Sequence, residues 1–439
     1  MGPAAAHRSG DADVRNAVAL LLAGGVGSRL NVFVRRRAKP AVPFAGIYRI
    51  IDFTLSNLMN SGIERVGILT QYLPYSLSEH VARGEAWGLS GRRRETRILP
   101  PHTGTSQADW YRGTADAVYR NLSYVRRHNP DLILVVSGDH VYSMDYASMI
   151  EHHLDSGAAA TIAVQTFPLE ECTSFGTVFV DDGMRILGFE EKPAKPKSPL
   201  VSLGIYVFNR EILERSLEDA VGTRGGTDFG RHIFPEMLGR GDRLVAYPFE
   251  GYWQDVGTLE AYFETHQQIL RGDPRLDLSQ WGVRTNLEEE RTSDRSPALL
   301  SSSAEVEGSL VCRGCRVEGR VASSVLSPGV VVEEGAEVRE SILFHDVHVG
   351  AGARLHKVIV DKDAVIRPRA LLGIDLGDGR PNATYPHHLD SGLTVVGKKA
   401  VVGAGARVGR NCCIGPGMDL DRIGVREMAD GETADEDGA

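Results

Sequence analysis

The sequence predicts an α/β domain built on a mostly parallel sheet, followed by a parallel β-helix. Three observations lead there. Continuous apolar runs closed by turn residues recur, with helical stretches between them, up to residue 268. A polar, proline-broken stretch then separates them from a different texture. In that last part, aliphatic–glycine pairs return at every sixth position.

Residues 1–14 are small and polar, as in a frayed terminus. Val18-Ala19-Leu20-Leu21-Leu22 is an unbroken apolar run closed by Ala23-Gly24-Gly25, which suits a strand buried on both faces and running into a loop. Arg65-Val66-Gly67-Ile68-Leu69-Thr70 and Leu132-Ile133-Leu134-Val135-Val136 repeat the pattern. Strands separated by helices imply a parallel sheet with both faces covered. Such sheets bind ligands beyond their C-terminal strand ends, where Gly24-Gly25 and Ser137-Gly138-Asp139 both fall.

Residues 271–300 are charged and broken by Pro274 and Pro297, so 269–300 reads as a linker. Val396-Gly397, Val402-Gly403, Val408-Gly409 and Ile414-Gly415 then keep a six-residue step, with Ala400, Ala406 and Cys412 in a second small slot. Val332 and Val338, and Val349 and Leu355, show the same step less cleanly. A hexapeptide period is the mark of a parallel β-helix, each short strand forming one side of a triangular coil. Residues 375–392 interrupt it and are expected to loop out. The boundaries drawn are 15–268 for the α/β domain, 301–420 for the β-helix, and 421–439 for an acidic, disordered tail.

Composition narrows the function. The 439 residues exceed one ordinary core, and 42% hydrophobic against 24% charged is a soluble globular balance. No run is long enough to span a bilayer, and no signal-peptide layout precedes Val18. Five cysteines make no disulfide framework, so a cytoplasmic location is expected. A net charge of −9 argues against nucleic acid as a partner. Yet Arg29, Arg35, Arg36, Arg37 and Lys39 fall within eleven residues that contain no acid. This is either a solvated loop or a polyphosphate-binding one.

Three segments could carry chemistry. Ala23-Gly24-Gly25-Val26-Gly27-Ser28-Arg29-Leu30 lets backbone N–H groups approach a phosphate, although it equally suits a tight turn. It lacks the Gly-Lys-Ser/Thr ending of a phosphate loop and the spacing of a dinucleotide fingerprint. Arg29 and Lys39 nearby would neutralise a pyrophosphate leaving group. Asp139, at a central strand tip, is placed to hold Mg²⁺ or to cap a helix. A partner carboxylate could come from Asp255 in Tyr252-Trp253-Gln254-Asp255-Val256-Gly257. Glu191-Lys192-Pro193, followed by Ser202, could meet a sugar phosphate or form a solvated turn. Cys312 and Cys315 have metal-ligand spacing, but no second pair completes four ligands. Trp87, Trp110, Trp253 and Trp281 suit a core as well as a ligand platform.

Taken together, Ala23-Gly24-Gly25-x-Gly27-x-Arg29-Leu30, Arg37-Ala38-Lys39-Pro40-Ala41-Val42-Pro43-Phe44 and Tyr48-Arg49-Ile50-Ile51-Asp52-Phe53 resemble ADP-glucose pyrophosphorylase. So do Thr70-Gln71-Tyr72, Trp110-Tyr111-Arg112-Gly113-Thr114-Ala115-Asp116, Ser137-Gly138-Asp139-His140, Glu191-Lys192-Pro193 and Asp255-Val256-Gly257-Thr258, in order from residue 17 to 268 and on into the β-helix. The blocks at 37–42 and 110–116 are the most specific to that family. The resemblance implies a Rossmann-like nucleotidyltransferase domain with a mixed, mostly parallel sheet, a left-handed β-helix, and a cytoplasmic homotetramer. It further implies adenylyl transfer from ATP to glucose 1-phosphate for glycogen synthesis, with Mg²⁺ as cofactor and allosteric control.

Carried onto these residues, it assigns ATP to Gly24, Gly25, Gly27, Arg29, Lys39, Gly113, Thr114 and Asp116. It assigns glucose 1-phosphate to Tyr111, Gly176, Glu191, Lys192 and Ser202, and the ion to Asp139 and Asp255. Catalysis falls to Arg29, Lys39 and Asp139, and effector binding to Arg36, Arg37 and Arg49. The chain departs from the family at Asn31-Val32-Phe33-Val34, where a Pro-Leu-Thr-like step is usual, at Ala45 for glycine, and at Thr227 for histidine. The first departure puts regulation in question rather than chemistry. Three rivals remain: a GTP- or UTP-dependent transferase, a non-catalytic regulatory subunit, and acyl transfer on the β-helix. His345, His348 and His356 are expected to be exposed on the coils, which gives the last no catalytic histidine.

Overall fold

The computed structural model describes residues 14, 16–25, 27–101, 110–289 and 291–435. Its first part is a mixed nine-stranded sheet. Val18–Ala23 lies centrally, parallel to Arg65–Thr70 on one side and Leu132–Ser137 on the other. Beyond Leu132–Ser137 the long strand Leu200–Asn209 runs antiparallel and pairs with Ala160–Thr166 and Gly176–Val180. Alternation along Val18–Ala23 explains its unbroken apolar sequence. Val18 and Leu20 join Val118, Tyr124 and Phe208 in one core, while Ala19, Leu21 and Ala23 join Leu55, Leu58 and Tyr146 in the other. In register, Leu22 lies beside Leu69 and Ser137, so Gly24, Gln71 and Asp139 emerge at one edge of the sheet.

The second part is the left-handed β-helix, three parallel sheets of six, seven and seven strands. Val396, Val402, Val408 and Ile414 fall on successive faces and are all buried, as a six-residue step requires. One face is apolar on both sides. Leu326, Leu343, Val360 and Val396 point into the coil, while Val325, Ile342, Ile359 and Val395 point out against Phe33, Phe44 and Tyr262 of the first part. Phe33 and Phe344 meet with ring centroids 5.4 Å apart. Burying one such aliphatic side chain contributes about 1.5–3 kcal/mol, so this junction is a core rather than a tether. The unusual Asn31-Val32-Phe33-Val34 step thereby finds its reason, since all four residues are buried at this seam.

Three expectations need correction. Residues 269–300 are no solvated linker: Trp87 Nε1 donates to the Arg284 carbonyl at 3.1 Å, Arg284 N donates to Ser56 Oγ at 2.9 Å, and Arg291 pairs with Asp363 at 2.7 Å. Hydrogen bonds to both parts of the molecule fix this strap, which its polar composition did not reveal. Nor does a disordered tail start at 421. Glu427–Met428 and Thr433–Ala434 extend two faces of the coil, and Asp435 pairs with Arg35. Only residues 436–439 of that segment lie outside the described residues, as do residues 1–13. Finally, His345 is buried rather than exposed, because it faces the junction; His356 is exposed.

A buried histidine sets an acid limit on the fold. The Ala45 N–H donates to His266 Nε2 at 2.9 Å, and His266 Nδ1 lies 2.8 Å from the Tyr262 carbonyl, so the ring must be neutral with its proton on Nδ1. Burial pushes its pKa down to about 4, against the weaker pull of that carbonyl. The folded pKa lies below the unfolded one, so the unfolded chain takes up the proton first as pH falls. Stability is therefore expected to be full above about pH 6.5, to drop between there and pH 4, and to lose nothing further to this group below. Thermal unfolding across that range reads the loss, and His266→Gln should flatten it.

Candidate active site

The site forms where two short strands close over the sheet edge. Beyond Ser137 the chain turns into His140–Tyr142, which pairs antiparallel with Trp253–Asp255, placing Asp255 opposite His140. Two acidic groups far apart in sequence thus converge. The ligand atoms of Asp139, His140 and Asp255 all lie within 4.8 Å of one another, the one such cluster among the described residues. Between the carboxylates sits Lys39, whose Nζ donates to Asp139 Oδ2 at 2.9 Å and Asp255 Oδ1 at 2.7 Å. Ser137 Oγ donates to the other oxygen of Asp139, and Arg29 Nη2 stands 3.6 Å from the other oxygen of Asp255.

Local sequence explains how each group arrives. Gly27 has φ 66°, a left-handed conformation, and a Cβ there would lie 2.7 Å from Lys39 Cβ. At Gly257 a Cβ would come 2.8 Å from Asp255 Oδ1 and 2.9 Å from Arg29 Nη2. Thr258 then caps helix Leu259–Leu270 by accepting from Ala261 N, so Asp-Val-Gly-Thr reads as ligand, spacer, clearance and helix start.

Electrostatics keep the cluster charged. Burial would raise the Asp139 pKa, but Lys39, His140 and Ser137 hold the carboxyl well below its usual range. Asp255 is lowered by the same lysine against its own burial. For Lys39 burial alone would favour the neutral amine, yet the two carboxylates leave its pKa raised. Burial lowers the pKa of His140, against Asp139 and Asp255, and its Nε2 lies 3.4 Å from Asp139 Oδ1. Beside these groups opens a cleft of about 290 Å³, lined by Gly24, Gly25, Gln71, Tyr111, Gly113 and Thr114 among others. Glycine backbone along the cleft, with Lys39 and Arg29 in the cluster beside it, suits a polyanion attached to a flat, uncharged body.

Sequence comparison agrees with this geometry. Residues 18–272 match the nucleotidyl transferase family model, and residues 299–396 match that of the GlmU-like C-terminal hexapeptide. A glucose-1-phosphate adenylyltransferase of Acetivibrio thermocellus is 41% identical over 403 residues, covering 91% of this chain and 93% of its own. Another, from Bacillus cytotoxicus, is 45% identical over 355 residues, covering 80% and 93%. The chain belongs to the glucose-1-phosphate adenylyltransferase family, a family of nucleotidyltransferases.

In this member of the adenylyltransferase family the expected residues fall into three groups. Gly24, Gly25, Gly27, Arg29, Lys39, Gly113, Thr114, Asp139 and Asp255 gather around the cleft and cluster. Asp116, expected at ATP, is buried, and its carboxylate pairs with Arg112 at 2.9 Å and Arg120 at 2.9 Å, four residues to either side. Tyr111, expected at glucose 1-phosphate, lines the cleft beside Gly24 and Gly25. Its hydroxyl donates to the Leu99 carbonyl at 3.1 Å and accepts from Asn121 at 2.9 Å, which leaves no free donor for a sugar.

Gly176, Glu191 and Ser202 gather on the antiparallel half of the sheet. Gly176 pairs with Glu191 across a hairpin, and Ser202 Oγ lies 3.5 Å from the Tyr206 hydroxyl. Burial, and then Asp228, raises the Glu191 pKa. Lys192 is exposed, at φ 49°. Asp228 escaped notice in the sequence although its neighbour Thr227 drew attention. It caps the next turn through Gly230 N and accepts from Thr114 Oγ1 at 3.1 Å, tying that turn to the start of helix Thr114–Arg120.

Arg36, Arg37 and Arg49 separate. Arg36 is exposed, whereas Arg37 and Arg49 are buried at the junction with the coil. Arg37 donates to both oxygens of Asp361 at 2.9 and 3.0 Å, and Arg49 pairs with Glu289. Lys362, unremarked in the sequence, lies among them; burial and then Arg49 and Arg37 hold its pKa well below the lysine value. Cys312 and Cys315 join no cluster of three or more metal-ligating side chains among the described residues. The Cys315 thiol is buried against the Ser327 carbonyl at 3.2 Å, and burial pushes Cys312 up to about 12. No helix among the described residues is long and apolar enough to cross a membrane.

Proposed function

We propose that this protein transfers the adenylyl group of ATP to α-D-glucose 1-phosphate, giving ADP-glucose and pyrophosphate for α-glucan synthesis. The observation that carries the reading is the convergence of Asp139 and Asp255 on Lys39 beside a glycine-lined cleft. The acceptor's phosphate oxygen attacks the α-phosphorus in line; a new P–O bond forms there while the bond to pyrophosphate breaks. The nucleophile is already an anion, so the protein needs no strong base; it must align two polyanions and offset their repulsion.

Two ionised oxygen donors suit Mg²⁺, and the lysine already drawn between them fits a site that demands positive charge. Asp139 and Asp255 would hold such an ion, which supplies charge neutralisation to both substrates when bound. Arg29 and Lys39 bind the leaving phosphates. Gly176, Glu191, Lys192 and Ser202 orient the sugar phosphate. Pyrophosphate release measured with ATP, GTP and UTP against glucose 1-phosphate tests the reading. We expect ATP to be preferred by at least tenfold; turnover with none of the three would remove it.

Two finer points belong to the same proposal. Arg37, Arg49 and Lys362, with the more exposed Arg36, would take an anionic effector, since Arg49 and Arg37 crowd the buried Lys362 amine, which pairs with no carboxylate among the described residues. Adding candidate phosphorylated metabolites to the same assay reads this. A cytoplasmic homotetramer is what the family resemblance implies, and a subunit contact is supported by the apolar start of the coil, where Leu299 and Leu300 are 61% and 51% exposed at unpaired strand edges. Light scattering on the full chain reports the subunit number, and a monomer would exclude it.

A further inference from the structure

The ion-binding reading leaves one contact unexplained: the site already contains a cation. Every oxygen of the two carboxylates has a partner. Asp139 Oδ2 and Asp255 Oδ1 accept from Lys39, Asp139 Oδ1 accepts from Ser137, and Asp255 Oδ2 faces Arg29. Two carboxylates against one lysine and one arginine make the cluster neutral, so it exerts no net pull on a free divalent ion. The lysine is 3% exposed and packs along Gly27 at the mouth of the glycine loop.

We propose that Lys39 is the resident cation of this site. A divalent ion and the Lys39 ammonium compete for the same two oxygens, so the ion binds the nucleotide-free protein weakly. It gains full access only when phosphates in the glycine loop draw Lys39 away. An ion held by Asp139 and Asp255 would stand beside the Lys39 ammonium, and repulsion between the two positive charges disfavours holding both there at once. The lysine thereby has two positions in the cycle, one on the carboxylates and one on the phosphates. Backbone movement is not needed, because Lys39 begins a short 3₁₀ turn fixed by Pro40 and only its side chain must swing.

The inference rests on Asp139 and Asp255 being the ion's ligands, and the test separates the two ideas. Mn²⁺ alone is titrated into the full-length, nucleotide-free protein and followed by the loss of the free-ion electron paramagnetic resonance signal. A state competent in one molecule in ten or fewer weakens apparent affinity about tenfold or more. Lys39→Met should therefore bind Mn²⁺ at least tenfold more tightly than the unaltered protein. Lys39→Arg, which keeps a cation, should stay weak, and adding Asp139→Asn to Lys39→Met should abolish the gain.

No gain in Lys39→Met, with binding still sensitive to Asp139→Asn, overturns the competition and leaves the ligand reading standing. Binding indifferent to Asp139→Asn in every form overturns both. Should Lys39→Met fail to fold, the unaltered protein still decides. Mn²⁺ should speed acetylation of Lys39 several-fold, read by peptide mass spectrometry, and unchanged labelling overturns the proposal.

Discussion

Asp139→Asn is expected to cut kcat/KM by about 10²–10³, or roughly 3–4 kcal/mol of transition-state stabilisation, while the fold survives. Asparagine matches the shape of aspartate and can still accept from Ser137 Oγ, so packing at the strand tip is kept. What disappears is one of two negative charges. Lys39 keeps its 2.7 Å bond to Asp255 and stays in place, which limits the loss of stability. An ion held by two carboxylates would be left with one. Because both act on the same charge, Asp139→Asn with Asp255→Asn should be scarcely worse than either alone, the non-additivity of groups that work as a unit. Initial rates of pyrophosphate release, with thermal unfolding as control, give the answer. Near-normal turnover in Asp139→Asn would mean that these acids serve only to hold Lys39.

The fold was open to sequence reading wherever its signal is local. A six-residue period needs only neighbouring residues, and Val396 to Ile414 display it without a break. Buried strands such as Val18–Ala23 announce themselves because both faces are covered. Convergence across the chain is different. Asp139 and Asp255 meet only because Trp253–Asp255 pairs with His140–Tyr142, and no local pattern encodes that pairing; family resemblance supplied it. Asp116 shows the opposite case. Arg112 and Arg120 stand four residues to either side of it, a visible helical ion-pair spacing, yet motif membership suggested a ligand.

Composition misled in two other places. The strap at 271–300 is polar because it spends its side chains bridging the two parts. The stretch after 420 is acidic because only residues such as Met428 must point inward on a coil. His345 and Lys362 were lost for a related reason. On a β-helix the outward residues normally meet water, and only the face that docks on the first part turns them into buried groups.

That docking face makes Arg37 consequential for stability. Arg37 and Asp361 are 4% and 1% exposed and joined by two hydrogen bonds, so neither meets enough water to be solvated alone. Breaking a buried pair by removing one partner typically costs about 3–5 kcal/mol, because the remaining charge is stranded. Here two effects soften the loss. Asp361 also accepts from the Lys362 N–H at 2.7 Å, and deleting Arg37 removes one of the positive charges that press on the Lys362 amine. Arg37→Met is therefore expected to destabilise by about 3 kcal/mol, at the low end of that range. Arg37→Met with Asp361→Leu should recover most of it, because an apolar pair of similar volume leaves no stranded charge. Denaturant unfolding of both variants distinguishes this from a surface pair, for which the single change would cost under about 1 kcal/mol and the double change would restore nothing. The loss should also reach the active site. Arg37 anchors to the coil the segment that ends in Lys39, so loosening it should raise the KM for ATP more than it lowers kcat, and recovery in the double variant would show that the coil sets where Lys39 stands.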